Sequence, residues 1–503
     1  MDVFQSLVMG FSIALTPQNL LFAFTGSLLG TLIGVLPGIG PVAGVAILIP
    51  LTFELDPTGA IIMLAAIFYG TQYGGTITSV LLNTPGEAAS AITCIDGYEM
   101  AKQGRAGAAL SIAAIGSFVG GTLATLGLVL AAPPLTRMAL QFGPPEFFGL
   151  MVLGISLLMG LAGKSMLKAL MAGILGMLLA LIGIDPVHGL PRFTFGRMEL
   201  MDGISFVPVI MGLFGLGEIL LNAERALKPT FVSKMNSLIP SAQDARDSVS
   251  PILRGTAIGF ALGLIPGMTG TASSFLSYIA EKKASKHPEK FGTGAIEGVA
   301  GPETANNAHA IGALVPLFAV GIPASPTVAV LMGAFIMNGL IPGPYLFKEH
   351  PDVAWGVIAS LYIGNVMLLI LNLPLIGMWV RILTIPYSIL FAMILAFMVV
   401  GAYSISNSVF DVATMSLFGL IGYALRKLDF PLAPAVLTLI LGPMMERSLR
   451  QSLDMSQGDF SIFITRPITA ALLVMAAVIV LSPAIRFLRS GRKVAALGGD
   501  VEV

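Results

Sequence analysis

Glu303, Asn306, Asn307 and His309 lie close together in the stretch Gly301-Pro-Glu-Thr-Ala-Asn-Asn-Ala-His309, which runs on through an apolar segment and breaks at Gly321-Ile-Pro-Ala-Ser325. A carboxylate, two amides and an imidazole beside helix-breaking residues are costly in an apolar chain. Such groups persist where irregular backbone lines a protein-enclosed or watered cavity, so the pattern reads as a ligand or ion site within a membrane. Three further breaks accompany it: Pro37-Gly38, Pro85-Gly86 and Pro266-Gly267. A broken helix presents unpaired backbone N–H groups suited to a carboxylate, and its freed carbonyls and nearby hydroxyls suit Na⁺. Asn83, Asn306 and Asn307 each carry both donors and an acceptor and can read either kind of group.

The candidate substrate-binding residues are therefore Pro37, Gly38, Ile39 and Gly40 at one tip and Pro266, Gly267, Met268, Thr269 and Gly270 at another. Asn83, Thr84, Pro85 and Gly86 at one break, Ile322, Pro323, Ala324 and Ser325 at the other, and Asn306 with Asn307 complete the set. Thr84, Ser90, Thr271, Ser273, Glu303 and Ser325 are the candidate ion ligands, and Glu87 is a further ion ligand or proton carrier. The plainer alternatives are a simple kink at any one Pro-Gly, helix–helix glue for Asn306-Asn307, a packing role for His309, and interfacial solvation for Glu87 and Glu303. Arginine is nearly absent from the apolar runs, with Arg381 close to an end. An anionic ligand is thus expected to be held by dipoles and amides rather than by a buried cation.

The elements that must position these groups are membrane spans. The chain has 503 residues, 55% hydrophobic and 11% charged, with a mean hydropathy of +0.90. Ordinary soluble domains carry roughly 25% charged residues, and several runs here approach the ~20 residues that cross a bilayer. The expected fold is an all-α polytopic membrane protein with about 12 spans. A formal net charge of zero leaves no nucleic-acid footprint, and the lone Cys94 excludes an internal disulfide framework or a multi-cysteine metal site. No Ser/His/Asp set, Walker loop or metal-ligand spacing occurs, so no enzyme and no ATPase is expected. The N-terminus lacks a basic region and a small-residue cleavage site, so no cleaved signal is expected.

Two halves are legible: residues 1–221 (hairpin 20–53, broken segment 58–96) and 251–490 (hairpin 252–280, broken segment 293–341). A linker, 222–250, separates them, and a tail, 491–503, follows. Gly30-Thr-Leu-Ile-Gly-Val-Leu-Pro-Gly-Ile-Gly40 aligns with Gly259-Phe-Ala-Leu-Gly-Leu-Ile-Pro-Gly-Met-Thr269, Thr58-Gly-Ala-Ile61 with Thr293-Gly-Ala-Ile296, and Thr84-Pro85 with Ile322-Pro323. Charge orients the copies. The loop after the first hairpin carries Glu54 and Asp56, and its counterpart carries Lys282, Lys283, Lys286 and Lys290. Further on, Lys102 and Arg105 face Lys348, Glu349 and Asp352. Lys and Arg mark cytoplasmic loops, so the repeats are expected to be inverted, with the central linker and the tail (Arg486, Arg489, Arg492, Lys493) both cytoplasmic. Inverted repeats with broken helices are the architecture of secondary transporters, with the site near the midplane where the copies meet.

At these residues the sequence resembles the TctA family, the large membrane subunit of tripartite tricarboxylate transporters. The resemblance covers nearly the whole chain. It rests on Gly30-x-x-x-Gly34-x-x-Pro37-Gly38, Tyr73-Gly-Gly75, Asn83-x-Pro85-Gly86-x-x-x-Ser90, Pro302-Glu303-x-x-Asn306-Asn307-Ala308 and Gly321-Ile-Pro-x-Ser325. It implies a bacterial inner-membrane symporter driven by Na⁺ or H⁺. A small four-span TctB-like subunit and a periplasmic TctC-like protein that delivers a tricarboxylate such as citrate, or another small carboxylate, would serve it. It also implies elevator-type movement of a transport domain against a scaffold. One departure is Ala324, where the family pattern leads one to expect glycine; its methyl narrows the approach to a ligand. The rival readings are a self-sufficient organic-anion carrier and, from another class, a channel or membrane enzyme.

Overall fold

The structure is a computed structural model that describes residues 2–481 apart from 37, 162–164, 186–187, 226–237, 384 and 386. Pro37, much of the central linker and the basic tail therefore lie outside the described residues. The apolar runs, rich in Ala, Leu, Ile and Met, fold as helices. In the first half these are α1 (Val3–Ala14), α2 (Pro17–Val35), α3 (Gly40–Leu48), α4 (Pro57–Leu82), α5 (Thr93–Lys102), α6 (Ala106–Ala139), α7 (Pro144–Leu161), α8 (Met166–Ala180), α9 (Phe206–Ile210) and α10 (Gly217–Arg225). The second half continues with α11 (Ala242–Gly263), α12 (Gly270–Ala284), α13 (Glu297–Gly312), α14 (Leu314–Val320), α15 (Pro326–Met337), α16 (Pro344–Glu349) and α17 (Pro351–Asn372). It closes with α18 (Ile376–Ile382), α19 (Tyr387–Ser406), α20 (Val409–Lys427), α21 (Ala433–Met455), the short α22 (Ile462–Thr465) and a helix over Pro467–Leu481. Among the described residues, 7 helices are long and apolar enough to cross a membrane, and shorter apolar helices accompany them. The fold is an all-α polytopic membrane protein.

Two apolar runs are interrupted: residues 297–320 form two helices, α13 and α14, and a π-helical turn, Met211–Leu216, lies between α9 and α10. The first hairpin is α2 and α3, with α3 running into a 3-10 turn at Ile49–Thr52.

The chain packs as two units, each drawing on both halves of the sequence: residues 1–140 with 205–428, and 141–204 with 429–503. The larger unit is organised around α4, whose apolar window is 100% buried. A helix that is apolar all round has no solvent-facing side and belongs in the interior. In α19, by contrast, only 17% of the corresponding window is buried, as suits a lipid-facing helix.

Two helix pairs repeat the same contact. On α2, a Cβ on Gly30 or Gly34 would stand 2.5 or 2.3 Å from the backbone oxygen of Ile67 or Thr71 on α4. On α11, a Cβ on Gly259 or Gly263 would stand 2.2 or 2.6 Å from that of Ala305 or His309 on α13. Gly30 and Gly34 are the sequence equivalents of Gly259 and Gly263. Small residues one turn apart let backbones meet at a spacing no larger side chain allows, the usual route to tight packing in lipid.

The smaller unit joins α8 to α21 through the Thr438 hydroxyl, which donates to the Gly173 carbonyl at 2.7 Å. A two-stranded antiparallel ribbon, Gly183–Ile184 with Pro191–Arg192, supplies Asp185 and Arg192 to a polar cluster. There Arg192 donates to Glu446 at 2.7 and 3.2 Å and Arg450 donates to Asp185 at 2.9 Å.

Gly259→Val is expected to force α11 off α13 and lower stability by about 2 kcal/mol or more, as overpacking does. Gly377→Ala, where an added methyl meets nothing within 4 Å, serves as the neutral control. Thermal unfolding of the purified protein in detergent measures both.

Candidate functional site

The first break is built by backbone geometry. α4 ends on Asn83, left-handed at φ 52°, a conformation an Asn side chain tolerates. The chain then doubles back. The Gly86 amide donates to the Gly75 carbonyl at 3.4 Å, and a Cβ at Gly86 would stand 2.2 Å from the Gly34 oxygen. This return sends Glu87 into the interior, where it is only 5% exposed. Its carboxylate accepts a hydrogen bond from the Asn306 amide and, with the Gln72 amide nitrogen turned towards it, a second at 2.6 Å. The Ser90 hydroxyl closes the turn by donating to the Glu87 carbonyl at 3.0 Å and sits 2.9 Å from the Ser79 hydroxyl.

The second carboxylate is Glu303 on α13, 1% exposed. It accepts from the Thr76 hydroxyl of α4 at 2.5 Å and from the Thr93 hydroxyl of α5. Asn307 donates to the Ser117 hydroxyl of α6 at 2.6 Å and to the Glu303 carbonyl at 3.2 Å. One turn on from Asn306, His309 Nδ1 lies 2.9 Å from the Ser273 hydroxyl of α12, while its buried Nε2 has no partner among the described residues. Neither Glu87 nor Glu303 forms an ion pair among the described residues. The network thus consists of carboxylates, amides, hydroxyls and one imidazole, and its oxygen and amide groups are the types that handle a carboxylate or a hard cation.

A third buried acid positions the network from one end. Asp96 of α5 accepts from the backbone amides of Gly292, Gly294 and Ala295 at 2.8–2.9 Å and from the Tyr278 hydroxyl at 2.8 Å. It thereby fixes the loop that launches α13. Gln103 donates to the Thr293 carbonyl at 2.7 Å, and Arg254 donates to Glu281 at 2.9 Å. The basic loops that charge alone assigns to one side are therefore in contact.

The candidate residues fall into three groups. Asn306, Asn307, Glu303, Glu87, Ser90 and Ser273 belong to the buried network. Thr269 and Ser325 cap helices, accepting from the amides of Ala272 at 3.2 Å and Val328 at 3.3 Å. Gly270 touches the network from α12: a Cβ there would stand 2.8 Å from the Asn306 side-chain Oδ1. Gly267, with φ +90°, donates its amide to the Ala324 carbonyl at 2.9 Å, so the second tip is closed against the second break. Pro266 and Met268 flank that closure, partly buried, and Ile322 and Pro323 are buried within it. Ala324 is not among the residues with positive φ, so its backbone makes no demand for glycine. Thr271 is partly exposed and makes no side-chain hydrogen bond among the described residues.

The first tip and first break line a common cavity of about 480 Å³. Its walls are residues 38–42 and 84–88, together with Phe214, Glu218, Asn222 and Arg426. Gly38, Ile39, Gly40, Thr84, Pro85 and Gly86 thus share one cavity, and Asn83 is exposed outside it. Arg426 differs from the sequence expectation that no cation would lie near the site. It stands just beyond the apolar run of α20, where it reads as a flanking charge, but its guanidinium is only 22% exposed and pairs with Glu218. Periodicity carries no signal for such a residue; the packing of α20 against α10 decides it.

Replacing Asp96 with Ala strips the acceptor from three backbone amides and the Tyr278 hydroxyl, at about 1–3 kcal/mol for each group left unsatisfied. Faster amide exchange confined to residues 291–296 and a lowered melting temperature are expected, whereas Thr93→Ala should leave those amides protected.

Residues 20–437 match the tripartite tricarboxylate transporter TctA family. A protein of Agrobacterium vitis, described as an uncharacterized 52.8 kDa protein in the TAR-I ttuC' 3' region, is 50% identical over 490 residues, covering 97% of this chain and 98% of that protein. A second from the same organism, described as an uncharacterized protein in the TAR-II ttuC' 3' region, is 48% identical over 234 residues, covering 46% of this chain and 97% of its own length. No solved structure matches the chain. The match spans the hairpins, both breaks and the buried polar network alike: the chain belongs to the tripartite tricarboxylate transporter TctA family, a family of membrane transporters.

Proposed function

We propose that this chain is the large permease subunit of a cation-coupled importer of small carboxylates, tricarboxylates such as citrate among them. It would be served by a TctB-like four-span subunit and a TctC-like periplasmic binding protein, in a bacterial inner membrane with its C-terminus in the cytoplasm. The observation that carries this reading is the buried network in which Glu87 and Glu303, one from each half, are held among the described residues by amides and hydroxyls alone. A buried carboxylate without a basic partner is where a coupling cation, Na⁺ or H⁺, is expected to dock. The cavity between the first tip and the first break borders Glu87 directly, which supports coupling between ion and substrate. All these residues lie in the larger unit, in keeping with a site carried as one body in an elevator-type cycle.

The test is uptake of radiolabelled citrate, malate and succinate by proteoliposomes holding the three components, under separate Na⁺ and pH gradients. Asn306→Ala and Asn307→Ala are expected to abolish uptake while insertion into the membrane persists; unchanged uptake removes both residues from the site. Glu87→Gln and Glu303→Gln are expected to uncouple transport from the gradient that drives it. Gly267→Leu is expected to block uptake by forcing a branched side chain into the left-handed region, at a cost of about 1–2 kcal/mol at the closed tip. Robust uptake without the binding protein would instead favour a self-sufficient carrier.

A further inference from the structure

α10 and α20 are joined by two ion pairs of different character. Lys427 pairs with Glu224 at the surface, the two side chains 44% and 53% exposed. Arg426 pairs with Glu218 at 22% and 13% exposure in the wall of the cavity that holds the first tip and first break. The exposed pair suffices to mark the register of the two helices. The cavity pair has the parts of a ligand site.

Its guanidinium lies over the Phe214 ring, 5.7 Å from the ring centroid, and its Nε has no acceptor among the described residues. Phe214 and Glu218 are brought to it by the π-helical turn Met211–Leu216, a local expansion that recurs at functional sites. Glu218 also accepts from the Asn222 amide at 3.3 Å, so it retains a donor when it leaves Arg426. A guanidinium fork matches a carboxylate in two-point geometry, which a lysine does not reproduce. A cavity of about 480 Å³ falls within the usual size of small-molecule sites, roughly 300–1,000 Å³.

We propose that Arg426 is the carboxylate-binding cation of the permease, and that Glu218 is an internal stand-in which an incoming substrate carboxylate displaces onto Asn222. This rests on the carboxylate-transport reading and names the residue that would make the site selective for anions. A cavity whose cation is already neutralised admits a ligand only if that ligand brings its own carboxylate to exchange. Neutral solutes and free cations thus gain nothing by entering.

The experiment titrates the purified full-length protein with citrate, malate and succinate by isothermal calorimetry, comparing wild type with R426Q, R426K, E218Q and K427Q. The expected result has opposite signs across the pair: R426Q weakens binding at least tenfold, R426K weakens it less, E218Q tightens it about three- to tenfold, and K427Q leaves it unchanged. Wild-type affinity in R426Q, or equal weakening in R426Q and E218Q, overturns the proposal and leaves a purely structural ion pair; carboxylate transport stands in either case. Absence of binding by wild type to all three acids overturns the carboxylate reading itself, and this proposal with it. Melting temperatures of the same samples separate lost binding from lost folding, and R426K and E218Q, which keep the side-chain bulk, supply the answer should R426Q not fold.

Discussion

Polar groups in a membrane interior must find their partners inside the protein, and in this chain they find them across the two halves. Glu303, from the second half, is satisfied by the Thr76 and Thr93 hydroxyls of the first. Glu87, from the first, takes a hydrogen bond from Asn306 of the second. Asp96 of the first half satisfies three backbone amides at the start of α13 in the second. Any one of these groups left unmet in an apolar surrounding costs as much as several good contacts contribute. The halves are therefore interdependent in folding before any question of transport arises.

That exchange requires the backbones to come close, and glycine permits it. The pairs α2 with α4 and α11 with α13 meet through glycines one turn apart at equivalent sequence positions. This leaves the polar faces of α4 and α13 within reach of one another at the centre of the larger unit. The same logic governs the break at Gly86, where a side chain would strike the Gly34 carbonyl and expel Glu87 from the interior. Glycine here replaces the missing hydrophobic drive between lipid-embedded helices with shape.

The two tips do not have equivalent surroundings. The second tip is hydrogen-bonded to the second break through Gly267 and Ala324, while the first tip and first break line a common cavity. The two tips share only their Pro-Gly pair, and they have different neighbours: Gly270 meets Asn306, and Gly38 meets Asn222.

Sequence alone determined the class of this protein and the location of its unusual chemistry. Apolar runs of span length force helices, Pro-Gly pairs force breaks, and a cluster such as Glu303-x-x-Asn306-Asn307 has no place in lipid without partners. Those constraints are local, so residue order expresses them. Tertiary structure alone decided who the partners are. That Glu87 meets Asn306, that Thr93 reaches Glu303, and that Asp96 collects the amides of Gly292, Gly294 and Ala295 are long-range pairings that no periodicity encodes. Arg426 makes the point most sharply: at the end of an apolar run it reads as a flanking charge, and only the packing of α20 against α10 turns it into the wall of a cavity.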